Sequence, residues 1–250
     1  MTLNLEHQVK MLNNVLHESA RFMQRDFGEI TQLQSSKKGV QDFTRKCYSR
    51  LESKLSTALA EKRPQYGISL ASGESSKNCE YFFVLEPIAG IMNFQRSIPF
   101  CCSAIALFKQ DPKDPEALVI AIHNPILRET FYAAKGLGAW FENYTESIIP
   151  KSRIRVSSQN NFADAFVATS IAANKFNYPR NLGSSLLEMA YLAAGRFDII
   201  INKYEDLLTN AGLMLIREAG GYVNSKNDSF LASNDPLHKQ AIEIFNNLNT

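Results

Sequence analysis

Apolar side chains recur every three to four positions through the first quarter of the chain, then give way to short, nearly continuous runs. Val9, Leu12, Leu16 and Met23 share one face of a helix predicted over residues 4–25, and Phe43, Cys47, Leu51, Leu55 and Leu59 mark a second over 42–62. From Gly67 the texture is β-rich, with strands predicted over 68–70, 81–85, 103–108, 118–122 and 130–132. Turn formers between them fit a largely antiparallel sheet. Beyond the turn Gly136-Leu137-Gly138, further strands lead to a helix predicted over 184–194, closed by Gly195 where a helix C-terminus favours glycine. A strand over 198–201 follows, then a helix over 206–219 ending at Gly220-Gly221. A last helix is expected over 235–246, with Asp235 and Pro236 as N-cap and first helical residue. No repeat or long linker interrupts this order, so residues 1–138 and 139–250 read as two halves of one unit. Helix pairs covering sheets predict an α/β layered sandwich.

Composition narrows the function classes. With 250 residues, 45% of them hydrophobic, the chain can bury a large core. A formal charge of +2 is far short of the density that would by itself imply nucleic acid or an anionic membrane as a partner, so any such partner would have to use a local patch. The opening residues carry neither a basic segment nor an apolar run, so no secretory signal is expected. No stretch approaches the roughly 20 apolar residues of a membrane span. Cys47, Cys79, Cys101 and Cys102 form no C-x-x-C pair, which fits a reduced, cytoplasmic protein. Adjacent Cys101 and Cys102 are expected to pack toward opposite faces of a strand.

The candidate chemistry lies at Leu85-Glu86-Pro87-Ile88-Ala89-Gly90-Ile91-Met92-Asn93-Phe94. This stretch has the outline of a metal-binding phosphatase loop, D-P-[IL]-D-G-T-x-N-F. Pro87, Gly90, Asn93 and Phe94 keep their places, while Glu86, Ala89 and Ile91 stand where two aspartates and a threonine belong. Other segments carry the same resemblance. Lys38-Gly39-x-x-Asp42-Phe43 is similar to a K-G-x-x-D-F hairpin, and Arg63-Pro64-Gln65-Tyr66-x-Ile68 to a P-x-x-x-I entry. Ser97-Ile98-Pro99-Phe100 resembles the segment after the metal loop, and Gly136-x-Gly138-Ala139-Trp140 resembles a G-x-G-A-[FW] turn. The segments 183–198 and 211–221 resemble two C-terminal signatures. Together they resemble the inositol monophosphatase family over nearly the whole length, and most of all its SuhB-like bacterial branch.

The resemblance implies an αβαβα sandwich, a homodimer and a magnesium-dependent phosphate-ester hydrolase whose carboxylates bind the metals and whose threonine helps to activate water. It also implies which positions should carry that chemistry. The paired glutamates fall on Ala71 and Ser72, the loop aspartates on Glu86 and Ala89, the threonine on Ile91 or Met92, and the late-helix aspartate on Leu208. Magnesium needs oxygen ligands in near-octahedral geometry, and alanine, isoleucine and leucine offer none. The expectation is a pseudophosphatase with no cofactor, acting by binding. The SuhB-like branch is associated with RNA-polymerase antitermination complexes, so a partner in the transcription machinery is implied. The alternative is a weak or altered magnesium-dependent phosphatase on a small inositol or sugar phosphate, with Glu74, Glu86 and Asp206 as relocated ligands. Gly90, Asn93 and Asn202 are candidate substrate contacts, and Arg96 would join the Gly90 loop in a metal-independent phosphate binder. The segment 170–183 is shorter than the family norm.

Blander roles suit the rest. Asp206 is expected to cap its helix, and Glu74 to be a solvated loop residue. Glu86, beside an apolar strand, is a candidate lone acid or base with a raised pKa. His123, without a sequence-local partner, reads as a packed histidine. Lys151, Arg153 and Arg155 alternate along a solvated strand, the only local route to nucleic acid.

Overall fold

The computed structural model describes residues 3–71, 73, 79–111, 113–143, 151–204 and 206–248. Two long helices come first, α1 (Leu5–Thr31) and α2 (Lys37–Lys62). A seven-stranded sheet follows in simple sequence order: β1 (Gly67–Leu70), β2 (Tyr81–Ala89), then, after the single-turn helix α3 (Ile91–Gln95), β3 (Cys102–Lys109), β4 (Glu116–Asn124), β5 (Glu129–Ala134), β6 (Gly138–Asn143) and β7 (Lys151–Arg153). Only the β1–β2 pair is parallel. The second sheet has five strands, β8 (Phe166–Thr169), β9 (Tyr178–Arg180), β10 (Ile199–Lys203), β11 (Tyr222–Lys226) and β12 (Ser229–Ser233), ordered β11-β12-β10-β8-β9. Helices α4 (Ser185–Ala193), α5 (Leu207–Glu218) and α6 (Asp235–Leu248) complete the chain.

Strand alternation assigns each side chain to a layer. Phe83, Leu85, Ile105, Leu107 and Val119 face Leu12, Leu16, Leu55 and Leu59 of the first helix pair. Their neighbours Phe82, Val84, Ala104, Ala106 and Ile120 face the other way, onto Leu187, Met189, Leu215 and Ile216 of α4 and α5. The same cluster continues to Ala168, Ile200 and Phe230 on one face of the second sheet. The opposite face, through Val167, Ile199, Ile201 and Leu231, buries Leu237, Ala241 and Phe245 of α6. The layers are therefore α, β, α, β, α, as expected. Each fully buried Leu or Phe contributes about 1.5–3 kcal/mol relative to exposure.

Several local expectations change. Lys38 to Phe43 lie in the opening turns of α2, not in a hairpin, because Ser36 caps the helix by accepting from the Gly39 amide at 3.1 Å. Strand β2 runs four residues past its predicted end, with a register shift between Glu86 and Ala89. Pro87, which has no N–H to give, sits in that irregular stretch, and its carbonyl accepts from Ser103 Oγ at 2.6 Å. The cap of α6 is Asn234, whose Oδ1 accepts from the Leu237 amide at 3.1 Å; Asp235 is already helical. Cys101 faces the α1–α2 side and Cys102 the central layer, the expected split. The boundary at 138 falls at the first residue of β6, inside the seven-stranded sheet. No helix among the described residues is long and apolar enough to cross a membrane.

Candidate functional site

A cleft of about 490 Å³ opens where β2 ends between the two sheets. Its floor is set by Gly90, which ends β2 with φ of 75° and lies so close to the next loop that a Cβ would fall 2.6 Å from the Phe100 carbonyl oxygen. Only glycine tolerates both conditions. Glu86, Ile88, Ala89 and Ile91 line one wall. The start of α4 supplies Ser184, Ser185 and Glu188, α5 supplies Asp206 and Thr209, α2 supplies Tyr48, and the ends of β8 and β10 supply Ser170 and Asn202.

Among the described residues three carboxylates reach this cleft, and each is engaged by protein donors. Glu86 Oε1 accepts from the Ile88 amide at 3.1 Å, and its carboxylate also takes the Tyr48 hydroxyl. Burial raises its pKa above the usual carboxylate range; those two hydrogen bonds oppose the rise, and the nearby negative charge of Asp206 adds to it. Burial likewise raises Asp206, opposed by the amides of Thr209 and Leu208. Asp206 Oδ1 accepts from the Thr209 amide at 3.0 Å in a reciprocal capping box. The Tyr48 hydroxyl is held neutral by burial and by the Glu86 charge. Glu188, 3% exposed, accepts from the Leu182 amide at 2.7 Å and from Asn202 Nδ2 at 2.8 Å. Asn202 Oδ1 in turn accepts from the amide and hydroxyl of Ser170, at 2.8 and 2.9 Å.

Of the residues singled out by sequence, Glu86, Ala89, Gly90, Ile91, Asn202 and Asp206 come together here. Leu208 does not: it is 1% exposed in the central apolar cluster, against which Ala71 also packs. Met92 is 67% exposed on α3 and outside the lining. Asn93 is a staple between loops, its Nδ2 donating to the carbonyls of Phe100 and Leu182 at 2.8 and 2.6 Å. Ser72 and Glu74 lie outside the described residues. His123 has a partner that sequence distance concealed, Thr130 Oγ1 at 2.8 Å. The sequence reading missed Tyr48, Ser170, Ser184, Glu188 and Thr209. Glu188 had a signal, a lone charge inside the apolar run Leu186 to Ala194.

The donor set can be tested against magnesium. Among the described residues no group of three or more His, Cys, Asp or Glu side chains is placed to hold a metal ion. Ala89, Ile91 and Leu208 have no ligating oxygen, and the three cleft carboxylates are already turned to protein N–H and O–H groups. These residues do not fit a centre built from several octahedral magnesium ions.

The five-layered sandwich with a polar cleft at the end of β2 has the architecture of solved inositol monophosphatase and SuhB structures. A sequence model described as the Inositol monophosphatase family matches residues 5–244, and the chain belongs to that family. It is 30% identical to an Inositol-1-monophosphatase of Caulobacter vibrioides, with 90% of this chain and 96% of that protein covered. It is 26% identical to the Nus factor SuhB of Xylella fastidiosa, over 84% of this chain and 80% of that one. The crystal structure of extragenic suppressor protein suhB from Bartonella henselae superposes with a TM-score of 0.76 at 25% identity, covering 96% of this chain and 98% of the other.

Proposed function

We propose that this family member has lost magnesium-dependent hydrolysis of phosphate monoesters and works by binding, as a cytoplasmic homodimer with a SuhB-like regulatory role. The observation that carries this reading is the cleft itself. Its backbone outline is kept by Gly90, while Ala89, Ile91 and Leu208 leave the implied metal positions without oxygen donors. A hydrolase of this class needs metal charge to offset the ester's own and to acidify the attacking water. Among the described residues, the cleft lining contains no Lys, Arg or His that could substitute. The relatives named Nus factor SuhB support a partner in the transcription machinery.

Titration calorimetry with magnesium, run beside phosphate release from inositol monophosphate, tests the loss of hydrolysis. The expected result is no saturable magnesium heat and no phosphate above the blank; metal-dependent turnover overturns the reading. For the regulatory role, a pull-down from the source cells is expected to enrich transcription-elongation components, and their absence counts against it.

One observation favours a second reading, a weak or altered magnesium-dependent phosphatase: Glu86, Glu188 and Asp206 all line one cleft. In that case Glu86→Gln and Asp206→Asn each abolish a measurable phosphate release.

A further inference from the structure

A second cavity, about 460 Å³, lies on the other side of the seven-stranded sheet, between α1 and strands β5 to β7. Its lining is chemically specific. Tyr132 and Trp140 are cross-strand neighbours, and Glu142 follows two residues after Trp140 on the same face. Tyr132 OH donates to Glu142 Oε1 at 2.6 Å, fixing the carboxylate beside the rings. Into this setting the chain places its own cation. Lys151, directly opposite Glu142 in the ladder, holds its ammonium 4.4 Å from the Trp140 ring centre and 5.5 Å from that of Tyr132.

Lys151 is a loose occupant, because it begins an exposed three-residue strand at the sheet's outer edge. With Lys151 swung outward, the charged groups left at the rim among the described residues are Glu6, Glu142 and Lys10, a net single negative charge.

We propose that this cavity is a receptor site for a guanidinium group, with Lys151 as a displaceable internal stand-in. A guanidinium is planar, stacks on an indole, and presents a fork of N–H donors that matches the Glu142 carboxylate. An ammonium can stack but presents a compact, strongly hydrated charge. The same group can come from an arginine of a partner protein or from a small guanidino compound. An open edge at β7 would add main-chain pairing for the former alone.

Trp140 is the chain's single tryptophan, so its emission reports on this cavity alone. The test titrates the full chain with N-acetyl-arginine amide, N-acetyl-lysine amide, a Gly-Gly-Arg-Gly-Gly peptide and matched sodium chloride. The expected result is a saturable change with the arginine compounds, several-fold weaker with lysine and absent with salt. Lys151→Ala, which removes the competitor, is expected to tighten arginine binding about tenfold, and Glu142→Gln to weaken it about fivefold. A peptide tighter than the amide assigns the site to a protein arginine, and equal affinity assigns it to a small molecule. Unchanged or weaker binding in Lys151→Ala overturns the proposal, as does a response that salt reproduces. Circular dichroism confirms that each variant is folded, and the Trp140 indole N–H resonance gives the same titration by NMR.

Discussion

The fold buries carboxylates in two different ways. Between α1 and α2, Asp26 is completely buried and meets two arginines, Arg25 at 3.1 Å and Arg50 in a close contact. Glu129, 8% exposed, is similarly paired with Arg196 at 2.7 Å and takes the Tyr191 hydroxyl at 3.0 Å. In the cleft, Glu86 and Asp206 face amides and hydroxyls, and no cation belongs to the lining among the described residues. A carboxylate matched by a cation serves the scaffold. The two in the cleft carry a pKa that burial raises, the usual mark of a functional position. The contrast separates the residues that hold this molecule together from those its cleft presents to a ligand.

The largest expected effect breaks the first kind. Asp26→Ala leaves the Arg50 guanidinium in an interhelical site without its partner, and is expected to lower unfolding stability by about 3 kcal/mol. Urea denaturation measures this; a loss below about 1 kcal/mol would place Asp26 with the cleft carboxylates rather than with the scaffold.

His123 offers the opposite case, a group buried in its neutral form. Burial, followed by the neighbouring His17 ring 4.8 Å away, lowers its pKa from 6.5 to about 3. Between those values the unfolded chain binds a proton that the folded chain refuses, so stability falls as pH drops from about 6.5 toward 3. At pH 4.5 this amounts to about 2.7 kcal/mol. His123→Gln is expected to flatten the stability–pH curve over that range, and an unchanged slope would refute the assignment.

Next comes the loop that shapes the cleft. Gly90→Ala meets both an unfavourable φ and the Phe100 carbonyl oxygen, whereas Gly136, with φ of 76°, has nothing within 4 Å of a built Cβ. The expected costs are about 2 kcal/mol for Gly90→Ala and about 1 for Gly136→Ala. Equal values from thermal melts would mean that the Phe100 loop simply moves aside.

Legibility in the sequence followed the same division. The layers could be read because apolar periodicity is local: Leu12 and Leu16 announce α1, and the alternation of Phe82, Phe83 and Val84 sends neighbours to opposite cores. The cleft loop could be read because Pro87, Gly90 and Phe94 are close in sequence. The start of α2 was misplaced because a family hairpin outweighed Ser36, a plain capping residue. Tyr48 and Glu188 went unseen because they arrive from helices about 40 and 100 residues away from Glu86 in sequence, and nothing local marks where their side chains end. Asn93 shows the converse, since its place in a motif gave no sign of the two hydrogen bonds by which its Nδ2 ties loops together.

The smallest expected effect is also the most direct test of the contrast. In Glu86 and Asp206 the folded state holds its protons to higher pH than the unfolded chain does, so their contribution favours folding in mild acid and declines as pH rises through the raised values. Glu86→Gln with Asp206→Asn removes that decline. Asparagine caps a helix about as well as aspartate, so α5 keeps its start. The double variant is therefore expected to be as stable as the parent in mild acid and more stable by about 0–1 kcal/mol at neutral pH, whereas losing Asp26 is costly at neutral pH. Chemical denaturation at both pH values decides it. A double variant destabilised at neutral pH would mean that these carboxylates hold the fold together as Asp26 does, and the cleft would lose its claim to be a site set apart from the scaffold.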